Sequence, residues 1–172
     1  MDLSAINPTL LVASLMVAST PILLASIGEL VVEKSGVLNL GVEGMMIIGA
    51  ICGFAAAVLT NSPMFGFLCA ALGGAAVSLI FAVLTQYFLS NQVATGLALT
   101  LFGLGLSAML GQSYVGIKPP TTYKLELPII SDIPVLGPIL FSHDFTVYAA
   151  LVLVFGVWWF LKYTRGGLIL RA

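Results

Sequence analysis

Charge is what this sequence has least of. Asp, Glu, Lys and Arg make up 8% of its 172 residues, against roughly 25% in soluble domains, whose surface must face water. Residues 44–117 contain none. No water-facing surface can be built from that stretch, so its solvent is lipid. A hydrophobic content of 60% and a mean hydropathy of +1.14 say the same of the whole chain. The net charge of −1 gives no footing for a nucleic-acid partner.

Residues that carry chemistry are equally scarce. There is one histidine, His143 beside Asp144, which reads as a loop residue. Cys52 and Cys69 both sit in apolar runs and are expected to be buried thiols. No Cys/His cluster has metal-ligand spacing, and no Gly-x-x-x-x-Gly-Lys loop is present for a nucleotide. The residues support neither an enzyme nor a cofactor or metal site. Met1-Asp2-Leu3 opens without a basic residue, so the first apolar run is expected to be a retained span and not a cleaved signal.

What is present is apolar length. A span needs roughly 20 mostly apolar residues, and five segments approach that: 9–27, 45–59, 64–89, 93–113 and 145–161. Lipid offers no partner to an unpaired amide, so all are expected to be helices. The fold class is an all-α, polytopic transmembrane bundle in a single domain over residues 1–172. Thr60-Asn61-Ser62-Pro63 and Ser90-Asn91-Gln92 read as tight turns. Residues 114–144, with Pro119, Pro120, Pro128, Pro134 and Pro138, read as a long loop. Pro21 removes a hydrogen bond to Val17, which predicts a kinked or broken first helix.

Basic residues set the orientation. With the C-terminus cytoplasmic, Lys34, Lys162, Arg165 and Arg171 fall inside and Lys118 and Lys124 outside, in one long loop. Trp158, Trp159, Lys162 and Tyr163 then form an interface anchor. The N-terminus is expected outside. Small residues recur every four positions: Gly66, Ala70, Gly74, Ser78 and Ala82; Gly103, Ser107 and Gly111; Gly49 and Gly53. That spacing lets helix backbones approach closely, either inside a bundle or at a subunit interface or pore wall.

The most informative stretch is 29–44, with Glu29, Glu33, Lys34, Asn39, Glu43 and three glycines between the first two spans. One account is capping: Asn39 caps the second helix, Glu43 favours its positive end, and Glu33 with Lys34 is a solvated pair. The other puts the segment on a solute path or its inner gate. A carboxylate close to hydrocarbon is costly and by default functional. The two are compatible.

The run Glu33-Lys34-Ser35-Gly36-Val37-Leu38-Asn39-Leu40-Gly41-Val42-Glu43-Gly44-Met45-Met46 resembles the hallmark segment of bacterial ABC-importer permeases of the nucleoside and simple-sugar group, related to ribose and branched-chain amino acid permeases. Three further runs agree in order and spacing: Asn91-Gln92-Val93-Ala94-Thr95-Gly96-Leu97-Ala98-Leu99-Thr100, Ile133-Pro134-Val135-Leu136-Gly137-Pro138-Ile139-Leu140-Phe141, and Thr164-Arg165-Gly166-Gly167-Leu168-Ile169-Leu170-Arg171-Ala172.

The resemblance implies a multi-pass protein of the bacterial inner membrane. Its partners would be an ATP-binding subunit, a second permease subunit and an extracytoplasmic solute-binding protein, with ATP hydrolysed elsewhere. It makes Glu29, Asn39, Glu43, Thr95 and Thr100 candidates for the translocation path or inner gate, and Arg165 and Arg171 candidates for the cytoplasmic partner face. The 114–144 loop becomes a candidate for the binding-protein contact. Family members continue past the match to Arg171-Ala172 with a coupling segment and more helices, so the chain corresponds to their N-terminal part. Two other readings stay open: a half-length dimeric secondary transporter with Glu43 as proton site, and a truncated relic that does not transport.

Overall fold

The computed structural model describes residues 8–121 and 144–171. Their elements are helices: α1 (Pro8–Lys34), α2 (Val42–Thr60), α3 (Pro63–Ala82), α4 (Gln92–Gly111), α5 (Phe145–Tyr163) and the short α6 (Arg165–Arg171). A π-helical turn, Val83–Tyr87, carries α3 onward, and a 3-10 turn, Gln112–Tyr114, closes α4. Five stretches are long and apolar enough to cross a membrane: Leu11–Lys34, Val42–Thr60, Pro63–Tyr87, Gln92–Tyr114 and Phe145–Tyr163. The chain is an all-α, multi-pass membrane protein. Most of the loop expected over 114–144, with Lys124 and His143, lies outside the described residues.

The break expected at Pro21 is absent, for α1 runs through it from Pro8 to Lys34. A proline removes a single backbone hydrogen bond. Opening the helix would strand several amides where lipid offers no partner, and that is the larger penalty. Hydroxyls around the proline also stay on the helix. Ser19 Oγ and Thr20 Oγ1 donate to the Met16 carbonyl at 3.0 and 2.8 Å, and Ser26 Oγ donates to Ile22 at 2.8 Å.

The chain divides into two compact units, 1–31 with 122–172, and 32–121. In the first, Val147 and Ala150 are the buried residues of α5. Lys162 lies over the Trp158 ring at 5.0 Å and the Tyr163 ring at 5.3 Å, the cation–aromatic cluster expected of an interface anchor. Thr164 joins α5 to α6. Its Oγ1 donates to the Phe160 carbonyl at 2.6 Å and accepts from the Gly167 amide at 3.1 Å, serving the end of one helix and the start of the next.

In the second unit α2 lies between α3 and α4. Asn61, in the left-handed conformation (φ 50°), ends α2, and Pro63 opens α3. The turn is short, so α3 returns antiparallel to α2. Gly49 meets Ala70, Gly53 meets Gly66 and Ala70, and Gly66 meets Ala57. These members of the small-residue repeat therefore pack inside the unit. On its other side α2 runs parallel to α4, with Gly41 against Gly96, Gly44 against Leu99 and Thr100, and Gly103 against Gly44. Met45, Ile48, Val77, Phe81 and Leu99 form the core of the three helices, with Val37, Cys52 and Leu106 against it. Cys52 and Cys69 are free thiols, half-buried.

The α2–α4 contact is backbone on backbone. A Cβ at Gly44 would fall 2.6 Å from the Leu99 carbonyl oxygen and 2.7 Å from Thr100 Cα, whereas one at Gly105 meets nothing within 4 Å. Gly44→Ala is therefore expected to destabilise the protein by about 1–3 kcal/mol through overpacking. Gly105→Ala is expected to be neutral, or to stabilise by up to about 1 kcal/mol through helix propensity. Thermal unfolding of both variants in the same detergent checks this, and equal melting temperatures would contradict it.

Candidate functional site

The segment between α1 and α2 starts where α1 must stop. Gly36 takes a left-handed conformation, φ +80°, which glycine adopts without a side-chain clash. Its amide donates to the Glu33 carbonyl at 3.0 Å, and the Ser35 amide to Val32 at 3.0 Å. Ser35 Oγ adds a 2.6 Å bond to the Val32 carbonyl. Lys34 stands in the last turn, where a cation suits the negative helix end.

Asn39 is buried, at 6% exposure, but it does not cap α2. The capping position is Gly41, which makes no side-chain cap bond. Asn39 Oδ1 instead accepts from the Gly41 amide at 2.9 Å, and Asn39 Nδ2 donates to Met45 Sδ at 3.6 Å. A short polar side chain bonding the amide two residues on forms a turn of its own, and this one aims the chain into α2. Glu43 is exposed in the first turn of α2, favourable to the positive helix end.

This segment lies against the start of α4. The Leu38 amide donates to Gln92 Oε1 at 2.8 Å. Thr100 Oγ1 lies 3.1 Å from the Leu40 carbonyl and 3.2 Å from Gly96 O, a hydroxyl shared between the segment and its own helix. The contacts of Gly41 with Gly96 and of Gly44 with Thr100 complete the seam. Asn91 caps α4, its Oδ1 accepting from the Ala94 amide at 3.0 Å. Thr95 Oγ1 pairs with Ser90 Oγ at 2.8 Å, and Ser90 Oγ also donates to the Leu84 carbonyl at 2.8 Å. The two runs singled out in the sequence, 33–46 and 91–100, are thus one structural object.

Of the expected path residues, Asn39, Glu43, Thr95 and Thr100 belong to this unit. Thr95 and Thr100 use their hydroxyls on neighbouring protein groups. Glu29 lies in the other unit and is half-buried on α1. Arg165 is exposed at the start of α6, and Arg171 ends that helix. No group of three or more His, Cys, Asp or Glu able to hold a metal occurs among the described residues.

A cavity of about 330 Å³ opens beside the seam, between residues 32–39 and the C-terminal end of α3. Ser35, Asn39, Ser78, Thr85 and Gln86 give it polar groups, and Val32, Val37, Phe81 and Ala82 give it apolar walls. No charged side chain lines it. Ser78 stands out in the sequence only as a member of the small-residue repeat, and Thr85 and Gln86 are not singled out there. Thr85-Gln86, an adjacent polar pair within an apolar run, is the signal that could have found them.

Five apolar helices and a glycine-lined seam of backbone contacts define a multi-pass membrane protein. The chain belongs to the family described as the permease component of the branched-chain amino acid transport system, whose pattern matches residues 11–172. It is similar to a protein named as a putative glucose ABC transporter permease in Haloferax volcanii, with 39% identity over 155 residues, 88% of this chain and 47% of that one. It is 33% identical over 176 residues to the guanosine ABC transporter permease of Bacillus subtilis, covering 95% of this chain and 55% of the relative. Against the nucleoside ABC transporter permease of Lactococcus lactis it is 34% identical over 178 residues, with the same coverage of both. The chain spans about half the length of the relatives it matches. No solved structure matches it.

The seam yields a direct test. Thr100→Val keeps the side-chain shape and removes the hydroxyl. The expected loss is about 0.5–1.5 kcal/mol of stability, read as a lower melting temperature in detergent. A variant as stable as the parent would show that the hydroxyl does not hold the segment.

Proposed function

We propose that this chain forms part of the membrane-spanning permease of an ATP-driven importer for nucleosides or simple sugars. The observation that carries the reading is the docking of residues 33–46 onto residues 91–100. The two runs that resemble the permease group are held together by backbone contact in a helix unit without charge between residues 44 and 117. Relatives named as permeases of glucose, guanosine and nucleoside ABC transporters support the same reading.

In this reading the chain is not itself a catalyst. ATP is hydrolysed by a separate ATP-binding subunit, and a second permease subunit and an extracytoplasmic solute-binding protein complete the machine. Glu29, Asn39, Glu43, Thr95 and Thr100 belong to the translocation path or its inner gate. Asn39 and Thr100 act by holding the 35–41 segment. Glu43, exposed at the head of α2, is the member free to meet solute or a moving partner. Arg165 and Arg171 face the cytoplasmic partner, with the N-terminus outside and the bilayer that of the bacterial inner membrane.

Uptake of labelled nucleoside or sugar by cells carrying the whole system is expected to stop when the ATP-binding partner is made inactive, and to survive moderate collapse of the proton gradient. The reverse pattern would identify a secondary transporter. Glu43→Gln is expected to lower uptake about tenfold, within the range for a lost charged hydrogen-bonding group, at unchanged membrane abundance. Unaltered uptake would leave Glu43 as a helix-end charge only. A cysteine at position 165 is expected to resist membrane-impermeant thiol reagents applied to intact cells, and labelling from outside would reverse the topology.

A further inference from the structure

We propose that the groove between α1 and the C-terminal half of α5 is a binding site for an anionic phospholipid. One acyl chain lies between the two helices, and the headgroup phosphate sits at Lys162. The site needs only the membrane-spanning fold and goes beyond the importer reading.

The groove has a volume of about 560 Å³, inside the roughly 300–1,000 Å³ of ligand pockets. Ile27 and Leu30 form one wall. Val154, Val157, Trp158, Leu161 and Lys162 form the other, at the three- and four-residue spacing of a single helix face. Both walls belong to the unit of residues 1–31 with 122–172. Lys162 stands in the last turn of α5, and Val154 lies about 12 Å from it along the helix axis. A helix of 19 residues just crosses the hydrocarbon. The groove therefore runs from headgroup depth into the acyl region, with its one charged side chain at the headgroup end. That is the polarity of a lipid molecule.

The walls favour a flexible chain over a further helix. In the 32–121 unit, helices meet through small residues, as Gly44 meets Thr100 and Gly53 meets Gly66, because glycine lets backbones approach. No small residue lines the groove. Gly28 and Gly156, which its two helices carry, lie elsewhere on them, and a Cβ on either meets nothing within 4 Å. Bulky walls hold a rigid helix off and leave a channel that an acyl chain fills. Of the five spans α1 is the one least covered by protein, so lipid has access to it.

The charge selects the headgroup. Lys162 is exposed, with its Nζ 5.0 Å from the Trp158 ring and 5.3 Å from the Tyr163 ring. Among the described residues it has no carboxylate partner. Glu29, between the two wall residues of α1 in sequence, does not line the groove. The rings steady the ammonium and leave its charge in place, open to a phosphate. Because a cation already covers the ring faces, the choline or ethanolamine ammonium of a zwitterionic lipid meets like charge there. Phosphatidylglycerol brings a phosphate and an uncharged glycerol. Basic pockets between membrane helices recur as sites for anionic headgroups.

The test uses the protein in its native membrane assembly, purified in detergent. Native mass spectrometry counts the lipid retained after incubation with phosphatidylglycerol or phosphatidylcholine of identical acyl chains. Phosphatidylglycerol is expected to be retained about fivefold better, the weight of one basic residue near an anionic surface. Lys162→Gln is expected to abolish that excess and Lys162→Arg to preserve it. Lys118→Gln, at an exposed lysine elsewhere, is expected to leave it unchanged. Val154→Trp fills the groove and is expected to lower retention of both lipids. Equal retention of the two lipids by the parent, an excess that survives Lys162→Gln or is lost as fully in Lys118→Gln, or unchanged retention by Val154→Trp overturns the site. So does efficient crosslinking of Val157→Cys to another protein segment in membranes, which would place a helix in the groove.

Discussion

Close approach of backbones is the constraint on which the 32–121 unit depends. In water, helices associate because apolar side chains leave solvent. In hydrocarbon that force between helices is absent, and packing must come from dispersion contact and hydrogen bonds. The unit answers with glycine where its helices cross. Gly44 and Gly103 bring α2 and α4 together, while Gly53 and Gly66 do so for α2 and α3. Because these contacts are main chain to main chain, the position of residues 35–44 follows from them. Asn39, Leu38 and Thr100 then fix the segment with bonds of 2.9, 2.8 and 3.1 Å.

That arrangement joins fold to function. A segment carrying carboxylates, an asparagine and glycines is rigidly attached at one edge, to α4, and faces a cavity at the other. The attached edge consumes its polar groups: Asn39 turns the chain and Thr100 holds a carbonyl. The cavity edge leaves Ser78 and Gln86 available. Leu89, just beyond the π-helical turn, has φ +53°, a conformation that non-glycine residues adopt at a cost of order 1–3 kcal/mol. The turn from α3 to α4 therefore departs from regular helix beside the cavity.

Much of this was legible in residues 1–172. The missing charge gave the solvent, apolar length gave the helices, and the four-residue glycine repeats gave close packing. The runs 33–46 and 91–100 were separately visible as patterns, but that they meet was not, since nothing local in either reports the other's position. Of the kink or break expected at Pro21, the break does not occur, because an opened helix would leave several amides without partners in lipid. Asn39 misled because an asparagine near a helix start can bond the first helical amides or the turn before them, and only the path of residues 37–41 distinguishes these.

By itself, then, the sequence determined the solvent and the helical class, because those depend on composition and on local backbone hydrogen bonding. Tertiary structure alone decided which glycines touch, that Thr100 reaches Leu40 sixty positions away, and that Ser78, Thr85 and Gln86 share a cavity with Asn39. Those facts depend on which helix faces cross and at what depth, a property of the packed unit and not of any stretch of chain within it.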